Sequence, residues 1–132
     1  MLEYSKEELW SLYKQIPKDL QRATFSEQVG TDIRKICDKN GITDEDLILK
    51  ITKNVGYVFL GLLSPDKFSE ELQRDLKMKK ETADQISGGL TNIVFLPLKK
   101  SLDILYGIEI KAIKITEPAK KEPAIDIYKE KI

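Results

Sequence analysis

Histidine is absent from this chain of 132 residues, and cysteine occurs once, at Cys37. Without imidazole the sequence lacks the side chain that most often moves protons near neutral pH and most often binds metal. Ser-His-Asp and Cys-His arrangements and most zinc sites are thereby excluded. A single thiol cannot close an internal disulfide, and its place on an apolar helical stripe reads as a buried, inert group. Net charge is missing as well: 22 Lys and Arg balance 22 Asp and Glu, leaving no global field to attract polyanions or anionic lipid. No long apolar run occurs. The most apolar window, NVGYVFLGLLSPDKF from Asn54 to Phe68, has only nine residues, 55–63, without a strongly polar side chain. A bilayer helix needs about 20, so no membrane span is expected. There is no Gly-x-Gly-x-x-Gly, no P-loop and no Cys-x-x-Cys, so no cofactor is expected. The first residues, MLEYSKEELW, carry Glu3, Glu7 and Glu8 where a secretory leader would be basic and then apolar; a cytoplasmic location is the expectation.

What is present is helical punctuation. Ser5 and Glu8 have capping-box spacing, and Leu9, Trp10, Leu12, Tyr13 and Ile16 supply an apolar side up to Pro17. Pro17 can itself open a short turn, PKDLQRATF. From Ser26, Val29, Ile33, Ile36 and Cys37 recur at i, i+4, i+7, i+8, and Gly41 reads as a left-handed stop. Thr43 is the expected cap of a central helix with Asp44, Glu45 and Asp46 at its positive end. Its apolar residues are Leu47, Ile48, Ile51, Val55, Val58, Phe59 and Leu62. Ser64-Pro65 opens a short helix on Phe68, Leu72 and Leu76. A further helix carries Ala83, Ile86, Leu90, Ile93 and Val94 across Gly88-Gly89, and Pro97 should kink or break it before Leu98, Leu102 and Leu105.

The fold class expected is all-α: one compact bundle of five to six helices over residues 1–107. After Gly107 the texture changes. IEIKAIKI alternates apolar and charged residues, and TEPAKKEPAIDIYKEKI has two Glu-Pro steps and little apolar content. Residues 108–132 therefore read as an extended or disordered tail. It carries six lysines against five acids, too nearly neutral for a polyanion or membrane hook.

A helix that is apolar nearly all round is ordinarily buried by its neighbours, which makes the Asn54–Phe68 window a core element. Tyr57, Leu60 and Leu63 lie off its main stripe, and these three are the candidate surface for gripping a partner. Gly56 and Gly61 read as points of close helix packing or of flexing. In the tail, Ile125, Asp126, Ile127, Tyr128 and Glu130 alternate as a peptide does when it adds to another protein's sheet edge. The partner expected is another protein or a second copy of this chain, and the role a non-enzymatic adaptor. The alternative is a small nucleic-acid-binding regulator using Lys77, Lys79, Lys80 and Lys99. Glu81 and Asp84 offset the first cluster, and the would-be recognition helix lacks arginine, so nucleic acid is the weaker expectation. Glu70 and Glu71 are adjacent and point to different sides of a helix, a poor acid-base pair. The acids of TDEDL sit at a helix start and lack the loop glycine and distal Glu of a calcium site.

GYVFLGLLSPDKF, LQRDLKMKKETADQI and VFLPLKKSL together cover about half the chain. They resemble a group of small helical proteins of unassigned function from candidate-phyla bacteria. The shared pattern is a glycine-bounded apolar helix, a proline-initiated helix beginning at Phe68, an Ala83/Ile86 helix and an aromatic-x-Pro element at Phe95 and Pro97. DIYKEKI, at 126–132, is similar to that group's ending Asp-Pro-Tyr-Arg-Glu-Pro-Ile. Asp126, Tyr128, Glu130 and Ile132 match, and Lys129 keeps the charge. Ile127 and Lys131 stand where the group has prolines, so a polyproline docking mode does not carry over. The resemblance implies a helical fold and a terminal linear motif, and no activity.

Overall fold

A computed structural model describes residues 4–113, and these build an all-α bundle. Helix α1 (Lys6–Gln15) starts at the expected capping box. The Glu8 N–H donates to Ser5 Oγ at 3.1 Å, and the Ser5 N–H donates to Glu8 Oε1 at 2.8 Å. Pro17 separates it from α2 (Lys18–Thr24), and the Gln21 side chain donates back to the Tyr13 carbonyl at 2.8 Å, closing the end of α1 onto its neighbour. Helix α3 (Glu27–Lys39) is capped by Ser26 and buries Ile33, Ile36 and Cys37. It stops at Gly41, φ 78°, where the Ile42 N–H reaches the Cys37 carbonyl at 2.8 Å in a Schellman turn.

Helix α4 (Glu45–Phe59) begins one residue later than expected, because Asp44 and not Thr43 caps it. The Asp44 Oδ1 accepts from the Asp46 and Leu47 N–H groups at 2.9 and 3.4 Å. It also ends earlier. Gly61 adopts φ 86°, the Leu62 N–H donates to the Tyr57 carbonyl at 2.9 Å, and the apolar window splits into a helix and a turn. Gly61 is thus a left-handed cap, and a Cβ on Gly56 would touch nothing within 4 Å, so neither glycine marks a close helix crossing. Gly89 does, for a Cβ there would meet Ile36 Cγ2 at 3.3 Å.

A 3-10 turn at Pro65–Lys67 leads into α5 (Phe68–Asp75), and α6 (Lys80–Leu90) follows. From α6 the chain stays helical through residues 80–106. A π-helical turn, Thr91–Phe95, and a 3-10 turn, Leu96–Leu98, carry it into α7 (Lys99–Tyr106). Pro97 neither ends the rod nor sits in a regular one. The Leu96 N–H reaches back five residues to Thr91, and the Lys99 N–H only three to Leu96, which takes the backbone past the ring that has no N–H to give. The wide turn also rotates the following side chains. Ile93, expected inside, is 51% exposed, while Val94 and Phe95 are buried.

Helix α3 packs against both α4 and α6, α2 against α4, and α5 against α6. Phe95 lies between Phe59 and Phe68, edge-to-face with ring centroids 6.2 and 6.0 Å away. Around these rings Leu20, Ile33, Ile51, Leu72, Ile86, Leu90 and Leu102 are fully buried. Ser101 on α7 donates to both carboxylate oxygens of Asp19 on α2, at 2.9 and 2.8 Å, tying the last helix to the second. Among the described residues there is no strand, and no helix is long and apolar enough to cross a membrane.

Candidate functional site

Tyr57, Leu60 and Leu63, expected at a partner-gripping surface, lie inside the bundle, each less than a tenth exposed. The reason is the turn at Gly61, which folds Leu60 and Leu63 back over the end of α4. Tyr106, 43 residues beyond Leu63, pins that turn. Its hydroxyl donates to the Val58 carbonyl at 2.7 Å and accepts from the Leu63 N–H at 3.2 Å, and burial raises its pKa. Tyr57 meets Tyr4 edge-on at 5.4 Å. Ile125, Asp126, Ile127, Tyr128 and Glu130 lie outside the described residues.

Large apolar groups do reach the surface elsewhere. Trp10 and Tyr13 on α1 are one helical turn apart and stack at 5.2 Å with 11° between their planes. Phe25, just past α2, meets Tyr13 edge-on at 5.3 Å. The Pro17 corner, held by Gln21, is what brings α2 round so that residue 25 reaches residue 13. Trp10 is 53% and Phe25 71% exposed, so two of the three residues stand largely in solvent. Lys14 Nζ lies 5.6 Å from the Trp10 ring centre, a cation–π contact on the same corner. The sequence placed Trp10 on the apolar side of α1. The helix buries none of its residues fully, and only Leu9, Leu12 and Tyr13 pack against the core.

A cleft of about 590 Å³ opens between the Pro65–Lys67 turn, α5, α6 and an extended strap, residues 108–113. The strap is held by side chains acting on its main chain. Asp103 accepts from the Ile110 N–H at 2.8 Å and Lys99 donates to the Ile110 carbonyl at 2.9 Å. The Asn92 amide does both jobs for Ile113, accepting from its N–H at 2.7 Å and donating to its carbonyl at 2.8 Å. Lys99 and that strap N–H keep the Asp103 carboxyl below its ordinary pKa. Inside the cleft Ser69 hydrogen-bonds Asp84, whose other oxygen pairs with Lys80 at 2.8 Å. These contacts, Lys80 first, lower the Asp84 pKa.

Among the described residues the acid with a raised pKa is elsewhere. Glu71 on α5 is 2% exposed; burial foremost, then neighbouring Asp75, pushes its pKa up against the pull of Arg74. Its carboxyl accepts from Arg74 through Oε1 and lies within hydrogen-bonding reach of Asp75. The described residues thus offer no cleft with two converging acids of raised pKa, and no cluster of three or more His, Cys, Asp or Glu that could hold a metal ion. Of the cations considered for nucleic acid, Lys80 is paired with Asp84, and Lys99 with Asp103 and the strap. Lys77 sits at φ 55° in the link before α6. Comparison with protein-family models, with curated proteins and with solved structures found no match.

Proposed function

We propose that this chain is a non-enzymatic adaptor that binds another protein through the aromatic corner of α1 and α2, with the terminal segment around Ile125, Asp126, Ile127, Tyr128 and Glu130 as a second contact. The observation that carries the reading is the exposure of Trp10 and Phe25 on either side of a shared Tyr13. Aromatic side chains are enriched at interface centres because they bury much area and lose little rotamer freedom. The rings here are also pre-stacked, so less ordering is left for a partner to impose. A cytoplasmic location belongs to the same proposal.

A photo-reactive residue at Phe25 identifies the partner, and the purified partner is then titrated against the wild-type chain. Trp10→Ala weakens binding about 30-fold, the loss expected of an interface anchor worth roughly 2 kcal/mol. Tyr128→Ala has an additional, smaller effect. Binding that survives Trp10→Ala and Phe25→Ala together unchanged, with helicity intact, overturns the reading.

A further inference from the structure

The cleft beside the strap is half built from the chain's own last described residues, and that gives it a natural occupant. Ile108, Ile110 and Ile113 form part of its lining, facing Pro65 and Gly88 across it. Ile110 is buried, yet Ile113 is still 45% exposed, an apolar wall with one side uncovered. The rim is acidic: Asp66, Asp84 and Glu109 border the cleft against a single lysine, Lys111, with Asp84 partly met by Lys80. The next residues of the chain, 114–121, read KITEPAKK and carry Lys114, Lys120 and Lys121 against one acid, Glu117.

We propose that residues 114–121 of this chain dock in the cleft, with Ile115 covering the Ile113 wall and the lysines meeting the acidic rim. The chain is delivered to the cleft, since Ile113 is part of its lining and Asn92 holds Ile113 by both its N–H and its carbonyl. Reach is ample: eight extended residues span about 26 Å, while packed helices lie about 8–10 Å apart. In an extended backbone, residues 113 and 115 fall on the same side, so the next isoleucine arrives where apolar cover is lacking. The Glu117-Pro118 step disfavours a helical conformation at Glu117, so little ordering opposes an extended bound form.

Tethering adds to this. A segment attached at the mouth meets the site at an effective concentration of order millimolar, so modest contacts are enough to hold it. The inference does not depend on the aromatic corner, which uses other residues.

Limited trypsin digestion of the full chain tests it, with each bond compared with the same bond in a free peptide spanning 108–132. Cleavage after Lys114, Lys120 and Lys121 is expected to be at least tenfold slower in the protein, at a ratio independent of protein concentration. Cleavage after Lys129 is expected to match the free peptide. Asp66→Asn with Glu109→Gln, which leaves the core untouched, should restore at least a third of the lost rate while far-UV circular dichroism stays the same. Equal rates in protein and peptide overturn the proposal, as does protection that the double substitution leaves intact. Protection that appears only as concentration rises also overturns it, because a second copy then supplies the segment.

Discussion

Asn54 sits in the middle of α4 with no exposed surface, and neither Oδ1 nor Nδ2 of its amide has a hydrogen-bond partner. Leucine has the same number of side-chain heavy atoms in the same branched arrangement, so Asn54→Leu changes polarity with little change of shape. Each unsatisfied buried polar group costs roughly 1–3 kcal/mol. Leucine also favours the helix over asparagine by up to about 0.5 kcal/mol. Against this, a near-isosteric repacking costs less than about 1.5 kcal/mol. The balance is a stabilisation of about 2 kcal/mol, or roughly 6–10 °C in Tm for a domain of this size. Urea unfolding followed by circular dichroism measures it, and an unchanged m-value confirms that the denatured state is the same. Asn54→Asp is the converse, burying a charge without a partner, and should lower stability by more than about 3 kcal/mol. A leucine variant no more stable than wild type would refute the reasoning, because the amide must then be satisfied in solution, as an enclosed water could do.

Three further outcomes follow from buried polar groups. Tyr106→Phe removes the hydroxyl that pins the Gly61 turn and leaves the Leu63 N–H without its acceptor; a loss of about 1–2 kcal/mol is expected in the same assay, and an unchanged midpoint contradicts the anchoring role. Glu71 has a folded pKa above its ordinary value, so its contribution is fully present below the unfolded pKa and is lost as pH rises through the folded one. Glu71→Gln should therefore be more stable than wild type at pH 8, the difference shrinking toward pH 4, and a gap that widens on acidification reverses the sign of the argument. Burial pushes the Cys37 thiol up to about 11, so a disulfide reagent at pH 8 should leave it unmodified in the native protein and react promptly once guanidinium unfolds the chain. Rapid native labelling would show that the α3 face opens.

The aromatic corner and the Asn54–Phe68 window carry opposite lessons about surfaces. In the Asn54–Phe68 window the off-stripe residues are covered because the helix ends early and doubles back. In α1 an apolar-looking stripe stays half outside, because none of the described elements is laid over Trp10. Neither outcome is set by the hydrophobicity of the segment itself.

The signals that the sequence determined by itself are those whose partners lie within about four residues. The Ser5/Glu8 box, the Ser26 cap, the stop at Gly41, the proline start at Pro65 and the Ile33, Ile36, Cys37 stripe all formed as their spacing implies, since backbone geometry alone brings those groups together. The all-α class follows from their sum. Tertiary structure decided everything that needed a distant neighbour. It pinned the turn beside Leu60 and Leu63 with the Tyr106 hydroxyl, it drew Ser101 to Asp19 across 82 positions, and it spread Pro97 over a π turn and a 3-10 turn, leaving Ile93 exposed. It also laid residues 108–113 along α6 and α7, where Asn92, Lys99 and Asp103 hold the main chain. Periodicity reports which face of a segment is oily. Only the packed molecule settles which oily faces find cover, because cover is a property of whatever else has folded against them.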